Sequence, residues 1–315
     1  MSEIEKYPNE IFISLNELLR LEHLARGFSF LANKQKVRSI LGGKHASKLR
    51  GRGLDFEEVR NYVPGDDIRN MDWKVTARTG EPHLKVFREE RERSVMMCID
   101  RGPHMDFGTR STFKSVQAAR AAALIGWAAN GLHDRVGGLL FGSGDDNAYF
   151  RPTKDRRALW RLLKALTAPL TGDSEPPPEL LSNILQQASR ALGTGGLVFV
   201  IADFNRELQG LSKGLSQLRQ HHSVVLVPVD DPADRELPDM GNVLFRAPDG
   251  ELLSVDTAEP TGREAYRRSW QQRREHLVQI ASNAGCALIP LLTDQDVHMA
   301  LMHGLQRRLR TRAFL

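Results

Sequence analysis

Residues Ser94–Asp100 read SVMMCID, an almost entirely apolar run that decides the fold. Two later runs, LVFVIA at Leu197–Ala202 and SVVLVPV at Ser223–Val229, have the same character. Continuous apolar strands are typical of a parallel sheet that is covered on both faces. The sequence between and after them predicts helices at 112–130, 155–166, 179–192, 208–220, 263–284 and 295–310. We therefore predict an α/β fold with a doubly wound, mostly parallel sheet that begins near Ser94.

Shorter elements surround this pattern. Ser14 and Glu17 have capping-box spacing before a leucine-rich run, which predicts a first helix that ends near Gly27. Further strands are predicted at 135–141, with a hairpin partner at 148–151, at 287–290, and in a hairpin around the turn at 248–250. We assign residues 1–93 to an N-terminal helix, a basic connector and a turn-rich segment described below. Residues 94–315 form the main domain.

Length and composition exclude several classes of protein. The chain has 315 residues, of which 41% are hydrophobic and 26% charged, so it is neither collagen-like nor disordered. Its longest uncharged apolar stretch, 121–132, is far shorter than the roughly 20 residues that span a bilayer. The start, MSEIEKYPNEIF, lacks the basic and apolar regions of a signal peptide. With only two cysteines, in apolar runs, the chain is expected to be cytoplasmic, without disulfides and without an integral membrane segment.

The positive charge is concentrated in one segment. The formal net charge is +5, and residues 34–60 alone hold eight Lys or Arg against three acids. By contrast, residues 203–259 hold eleven acids against five bases. Such asymmetry indicates an interaction surface, or simply a solvated charged face.

Two acids end apolar strands of the predicted sheet. Asp100 follows MMCI and Asp203 follows FVIA. In doubly wound sheets, ligands bind at the carboxyl ends of the strands, where the strand order reverses. These acids can serve as metal ligands, as catalytic acids or as helix caps. No phosphate-binding loop, nucleophile elbow or zinc motif accompanies them, and the Ser-x-x-Lys pair Ser111 and Lys114 is interpreted as the start of a surface helix.

The strongest local motif is FEEVRNYVPGDDIRNMDWKVTART at Phe56–Thr79, called the signature segment below. Its Pro-Gly pair predicts a turn, Asp66 is predicted to cap the short helix that follows, and Arg69 is predicted to pair with Asp72. We interpret the segment as a polar clamp that fixes a non-regular stretch against the sheet, and we expect its residues to take part in an interaction. The residues singled out are Arg60, Tyr62, Pro64, Gly65, Asp66, Asp67, Arg69, Asp72, Trp73 and Arg78.

The signature segment, followed by LKVFREERERSVMMCID and DRVGGLLFG, resembles the bacterial family called domain of unknown function 58. The resemblance covers Gly51 to Gly142 and continues more weakly to Asp203. It implies a von Willebrand A-like, Rossmann-like domain. It also implies a non-enzymatic adaptor that works with a MoxR-type AAA+ ATPase in assembling or remodelling an unknown client protein.

The resemblance further implies a metal-ion-dependent adhesion site of the pattern Asp-x-Ser-x-Ser. Here the corresponding residues run from Asp100 through Arg101 to His104. Neither serine of the pattern is present, so both hydroxyl ligands are missing. The remaining candidates are Asp100, Asp203 and Thr171, and His104 could bind a softer metal than Mg²⁺. Arg101 would oppose a cation, and Asp100 and Asp203 could be neutralised by hydrogen bonds or by Arg101 instead. We therefore predict a degenerate site without metal and no other cofactor.

Two alternative functions remain open. The basic segment 34–52 could bind an anionic surface or nucleic acid, although it contains no aromatic residue to stack on bases, which disfavours nucleic acid. Alternatively, Asp66, Asp67 and Asp72 could serve a metal-dependent hydrolase.

Overall fold

The computed structural model describes residues 11–28, 54–64, 66–89, 93–142, 147–169, 177–205, 209–246 and 252–312. They form two compact units, one within 1–34 and 93–315 and the other within 35–92. The first helix therefore belongs to the larger unit, whereas the sequence grouped it with the rest of residues 1–93. The division into domains 1–93 and 94–315 stays a prediction.

The described elements follow the predicted order. The strands are β1 (Leu54–Asn61), β2 (His83–Glu89), β3 (Ser94–Asp100), β4 (Arg135–Phe141), β5 (Ala148–Thr153), β6 (Leu197–Ala202), β7 (Ser223–Asp230), β8 (Asn242–Arg246), β9 (Leu252–Asp256), β10 (Ala287–Leu288) and β11 (Leu291–Leu292). The helices are α1 (Leu15–Arg20), α2 (Glu22–Ala25), α3 (Trp73–Thr79), α4 (Lys114–Gly131), α5 (Arg156–Leu166), α6 (Leu180–Ala191), α7 (Leu211–His221), α8 (Pro232–Arg235), α9 (Pro260–Asn283) and α10 (Val297–Arg312). Short 3₁₀ turns cover Ile68–Asn70 and Pro103–Met105.

The large sheet confirms the predicted fold class. Its strand order is β10-β7-β6-β3-β4-β5, with β11 also paired to β7. β5 runs antiparallel to β4, and the other pairs are parallel. We can renumber β3, β4, β5, β6, β7 and β10 as strands 1 to 6. Read from the β5 edge, the sheet then has the order 3-2-1-4-5-6 of a doubly wound, Rossmann-like sheet.

The two faces of the sheet bury separate apolar layers. Met97 and Ile99 pack in the layer formed with α1, α4, α5 and α10, whereas Met96 and Cys98 pack in the layer formed with α6, α7 and α9. The residues alternate because successive side chains of a strand point to opposite faces. Burial on both faces explains why the strands are continuous apolar runs.

Helix α4 lies in the middle of the first layer. Every residue from Val116 to Ala129 except Arg120 is buried, as expected of a helix that is apolar on all sides. A Cβ on Gly126 would lie 2.8 Å from Leu159 Cδ1, so this glycine permits a close approach of α5. Among the described residues, no helix combines the length and the apolar character that crossing a bilayer requires.

Three strand predictions are refined. The stretch from His83 to Asp100, predicted as one bent strand or two, forms β2 and β3 in different sheets. The strand predicted at 287–290 is divided into β10 and β11, because Pro290 has no N–H to contribute to a ladder. The hairpin predicted around 248–250 is confirmed by the antiparallel pairing of β8 and β9.

The first helix is confirmed and packs on the large sheet's helices. Ser14 accepts a hydrogen bond from the Glu17 N–H, as a helix N-cap should. Leu18 is fully buried, and its carbonyl accepts a hydrogen bond of 2.9 Å from Trp127 Nε1. An ion pair of 2.8 Å joins Glu17 to Arg120. Because these contacts all lead to α4, α1 is part of the core of the larger unit.

We expect Leu18→Ala to lower the free energy of unfolding by about 3 kcal/mol, because it removes a fully buried side chain and leaves a cavity. Leu24 is 46% exposed in the same helical segment, so Leu24→Ala is the matched control and should cost less than about 1 kcal/mol. Urea denaturation of the full chain measures both. Equal losses for the two variants would contradict the packing of α1 described here.

Candidate functional site

The carboxyl ends of β3 and β6 mark the point where the strand order of the sheet reverses. These strands are adjacent and parallel, and the chain continues from β3 to β4 on one side and from β6 to β7 on the other. Doubly wound sheets bind ligands at this point. Asp100 ends β3 and Asp203 follows β6 directly, so both acids lie at the predicted edge.

Asp100 is bonded within its own loop. It is 1% exposed, its Oδ1 accepts a hydrogen bond of 2.9 Å from the Gly102 N–H, and its Oδ2 lies 2.9 Å from His104 Nε2. Gly142 has a φ of 99° and packs closely here, since a Cβ on it would lie 2.7 Å from Asp100 Oδ1. The structure thus brings His104 to Asp100, as a hydrogen-bond partner that closes the loop.

Of the two alternatives for neutralising Asp100 and Asp203, hydrogen bonds or Arg101, the structure shows hydrogen bonds, and Arg101 is not their partner. Its guanidinium turns to α5 and donates hydrogen bonds to the carbonyls of Ala165 and Ala168. Carbonyls at the end of a helix lack partners within the helix and attract cations. The guanidinium of Arg101 therefore binds carbonyl groups at the end of α5.

Asp203 is paired with a buried lysine. Lys114 Nζ lies 2.7 Å from Asp203 Oδ2 and 2.7 Å from Asp234 Oδ2, and the lysine side chain is only 2% exposed. The interpretation of Lys114 as a surface residue is therefore wrong. Burial alone would lower the pKa of Lys114, but the two carboxylates more than offset this and raise it. Burial raises the pKa of Asp234, and Asp203 adds to this while Lys114 acts against it.

Two further acids at the end of β7 complete the polar edge. Asp230 Oδ1 accepts a hydrogen bond of 3.2 Å from Asn205 Nδ2, and its other oxygen pairs with Arg274 of α9. Asp231 is fully buried and accepts hydrogen bonds from Thr109 and Thr293. The sequence treated these acids only as part of an acidic stretch. The signal that could have found them is the one used for Asp100 and Asp203, an acid directly after an apolar strand.

Asp100 and Asp203 have different hydrogen-bond partners. Asp100 continues the face of β3 that carries Met96 and Cys98, whereas Asp203 is bound by Lys114 of α4, the helix that covers the other face. The predicted pair therefore has two separate sets of partners.

These partners do not fit the metal site that the resemblance implies. The oxygens of Asp100 are taken by the Gly102 N–H and His104, and those of Asp203 by the Asn205 N–H and Lys114. Thr171 lies outside the described residues. Within the described ranges, no group of three or more His, Cys, Asp or Glu residues is arranged to hold a metal ion.

The signature segment is ordered by charged side chains. Arg60 donates two hydrogen bonds of 2.8 Å to the carboxylate of Asp66, which also accepts one from the Val63 N–H. The bond from Arg60, followed by that from Val63, lowers the pKa of Asp66. Asp66 was predicted to cap a helix; instead, Asp67 caps the 3₁₀ turn and Asp72 caps α3.

The predicted pair of Arg69 and Asp72 is not formed. Arg69 Nε lies 3.1 Å from Asp67 Oδ1, and Asp72 accepts hydrogen bonds from two N–H groups of α3. The carboxylate of Asp72 caps the start of α3. Arg69 pairs instead with Asp67, which lies closer to it along the chain.

Three apolar side chains of the same segment are exposed. Val63 is 57%, Ile68 62% and Trp73 70% exposed. The backbone N–H of Tyr62 donates a hydrogen bond of 2.8 Å to the Pro82 carbonyl. Pro64 and Arg78 are exposed, whereas Gly65 and the basic segment 34–52 lie outside the described residues.

We expect Asp234, whose pKa is raised by burial, to make stability depend on pH. A carboxyl whose pKa is raised in the folded state binds a proton more tightly there than in the unfolded chain, so it destabilises the fold as pH rises from about 3.8 through the raised value. Asp234→Asn should therefore flatten the dependence of Tm on pH above about pH 3.8. Thermal unfolding across this range measures it, with Asp239→Asn at an exposed acid as the control. An unchanged slope in Asp234→Asn would contradict the assignment.

Similar proteins cover most of the chain. The uncharacterized protein Rv1480 of Mycobacterium tuberculosis is 29% identical over 272 residues, which are 84% of this chain and 83% of that protein. Among solved structures, the conserved hypothetical protein BatB from Bacteroides thetaiotaomicron has a TM-score of 0.39 at 14% identity, covering 69% of this chain and 99% of BatB. The SpRpn10 VWA domain has a TM-score of 0.37 at 11% identity, covering 67% of this chain and 94% of that domain. The family described as protein of unknown function DUF58 matches residues 58–276, more than half of the chain, and the chain therefore belongs to that family.

Proposed function

We propose that the chain is a non-enzymatic protein-interaction module that works with a MoxR-type AAA+ ATPase to assemble or remodel a client protein. The ATPase partner follows from the family resemblance of the signature segment. Because such a partner consumes ATP, the proposal also places the chain in the cytoplasm.

The observation that carries the proposal is the exposure of Val63, Ile68 and Trp73 in a segment whose backbone is held in place. The Arg60–Asp66 pair joins β1 to the turn that follows it, and Asp72 fixes the start of α3 directly before Trp73. An exposed apolar group on a fixed backbone loses little conformational entropy on binding. Tryptophan is also among the residues that contribute most to protein interfaces.

The contacts of the acidic side chains argue against the hydrolase alternative. Asp66 binds Arg60, Asp67 binds Arg69, and Asp72 caps a helix beside Lys85, whose Nζ lies 3.7 Å from Asp72 Oδ2. Each contact favours the ionised carboxylate, and the pKa of each acid is lowered. A general acid needs a pKa close to the working pH, which these carboxylates lack. As metal ligands they would first have to give up the cations and backbone N–H groups to which they are bonded.

We expect Trp73→Ala to weaken binding to the purified MoxR-type ATPase of the same cell at least about 10-fold, because the change removes an aromatic side chain that is 70% exposed. Calorimetry in the presence of a non-hydrolysable ATP analogue measures the affinity.

Trp160→Ala is the matched control, since Trp160 is 43% exposed on α5 and lies outside the signature segment. It should change the affinity by less than about twofold. An unaltered affinity in Trp73→Ala would remove the role given to the signature segment. A wild-type chain that fails to bind the ATPase in any nucleotide state would refute the proposed function itself.

A further inference from the structure

The ammonium group of Lys114 occupies an enclosed position at the edge of the sheet. It lies 2.7 Å from one oxygen of Asp203 and 2.7 Å from one oxygen of Asp234, and 5.2 Å from the centre of the Phe107 ring. The Lys114 N–H also donates a hydrogen bond of 2.9 Å to the Phe107 carbonyl. The loop that carries the ring is therefore tied to the residue whose ammonium the ring covers.

The loop has little freedom to open. A Cβ on Gly108 would lie 2.1 Å from the Thr112 carbonyl oxygen, so the chain folds back tightly between Phe107 and Lys114. The Thr109 N–H is held at 2.9 Å by the buried carboxylate of Asp231. Lys114 is also the first residue of α4, a helix buried along nearly its whole length. Both the loop and the backbone of the lysine are thus fixed.

We infer that Lys114 is a tethered cation that takes the place of a bound metal ion at the switch point of this sheet. A divalent ion placed between Asp203 and Asp234 would have to displace an ammonium that cannot leave its helix. The hydroxyl ligands of a metal-ion-dependent adhesion site are missing from the Asp100–His104 loop. Both carboxylate oxygens of Asp100 already have hydrogen-bond partners, the Gly102 N–H and His104 Nε2.

The tethered cation has a different consequence from a bound ion. A metal ion exchanges with solvent, so a metal-dependent surface responds to the concentration of the ion. An ammonium carried by a buried side chain is present in every molecule that folds. The switch point of this chain is therefore charge-compensated without any added ion, and this inference stands whether or not the proposed ATPase partner is correct.

Metal titration of two Lys114 variants tests the inference. Lys114→Ala removes the ammonium and leaves space between the two carboxylates. We expect its Tm to fall by roughly 10 °C in EDTA, because a buried charge loses its partner. Mn²⁺ at millimolar concentration should restore at least half of this loss. Lys114→Met fills the space without charge, so its Tm should also fall but should not respond to Mn²⁺.

The controls separate this effect from a general influence of metal. Lys213→Ala, at an exposed lysine of α7, should leave the Tm unchanged and insensitive to Mn²⁺. The wild-type chain should bind no Mn²⁺ in electron paramagnetic resonance titrations and should have the same Tm in Mn²⁺ and in EDTA. The measurements on the wild-type chain do not depend on whether any variant folds.

Three outcomes would overturn the inference. The first is stoichiometric binding of Mn²⁺ by the wild-type chain that is lost in Asp203→Asn. The second is a Tm of Lys114→Ala equal to that of Lys213→Ala. The third is an equal response of Lys114→Ala and Lys114→Met to Mn²⁺. If neither lysine variant folds, a triple variant that combines Lys114→Met with Asp203→Asn and Asp234→Asn is tested in EDTA. Folding of the triple variant supports the inference. Failure of the triple variant to fold overturns it.

Discussion

The constraint on which the larger unit depends is the burial of carboxylates at the carboxyl edge of its parallel sheet. Asp100, Asp203, Asp230 and Asp231 are each at most 6% exposed, and an ionised group removed from water needs a partner. Different parts of the chain supply these partners: the loop after β3, the first residue of α4, and α9. The packing of those elements therefore serves electrostatics as well as apolar burial, and it closes the edge where doubly wound sheets ordinarily bind a ligand.

Sequence alone predicted the sheet well because its strands are buried on both faces and so appear as uninterrupted apolar runs. It also located Asp100 and Asp203, since an acid directly after such a run stands out. It missed Lys114 because a lysine at the start of a helix is ordinarily exposed, and only the fold brings Asp203 and Asp234, 89 and 120 positions further along the chain, to its ammonium. In the signature segment it identified the charged residues but paired Arg69 with the wrong acid.

The two compact units are ordered by different means. In the larger unit, apolar layers on both sides of the sheet fix the backbone, and charges appear at its edge. In the signature segment, the carboxylates of Asp66, Asp67 and Asp72 accept hydrogen bonds from backbone N–H groups and so fix the backbone. The large apolar side chains Val63, Ile68 and Trp73 remain exposed. A segment ordered in this way keeps its apolar groups available to another molecule, which is the property that an adaptor needs.

Asn205 connects the two helical layers of the larger unit. Its backbone N–H is bonded to Asp203, whose other oxygen holds Lys114 on the α4 side, while its side-chain amide is bonded to Asp230, the partner of Arg274 on the α9 side. A displacement of α9 that pulls Arg274 away leaves Asp230 with an uncompensated charge beside this amide. The helices on opposite faces of the sheet are therefore joined at its edge by a continuous chain of hydrogen bonds and ion pairs, although the sheet itself separates them.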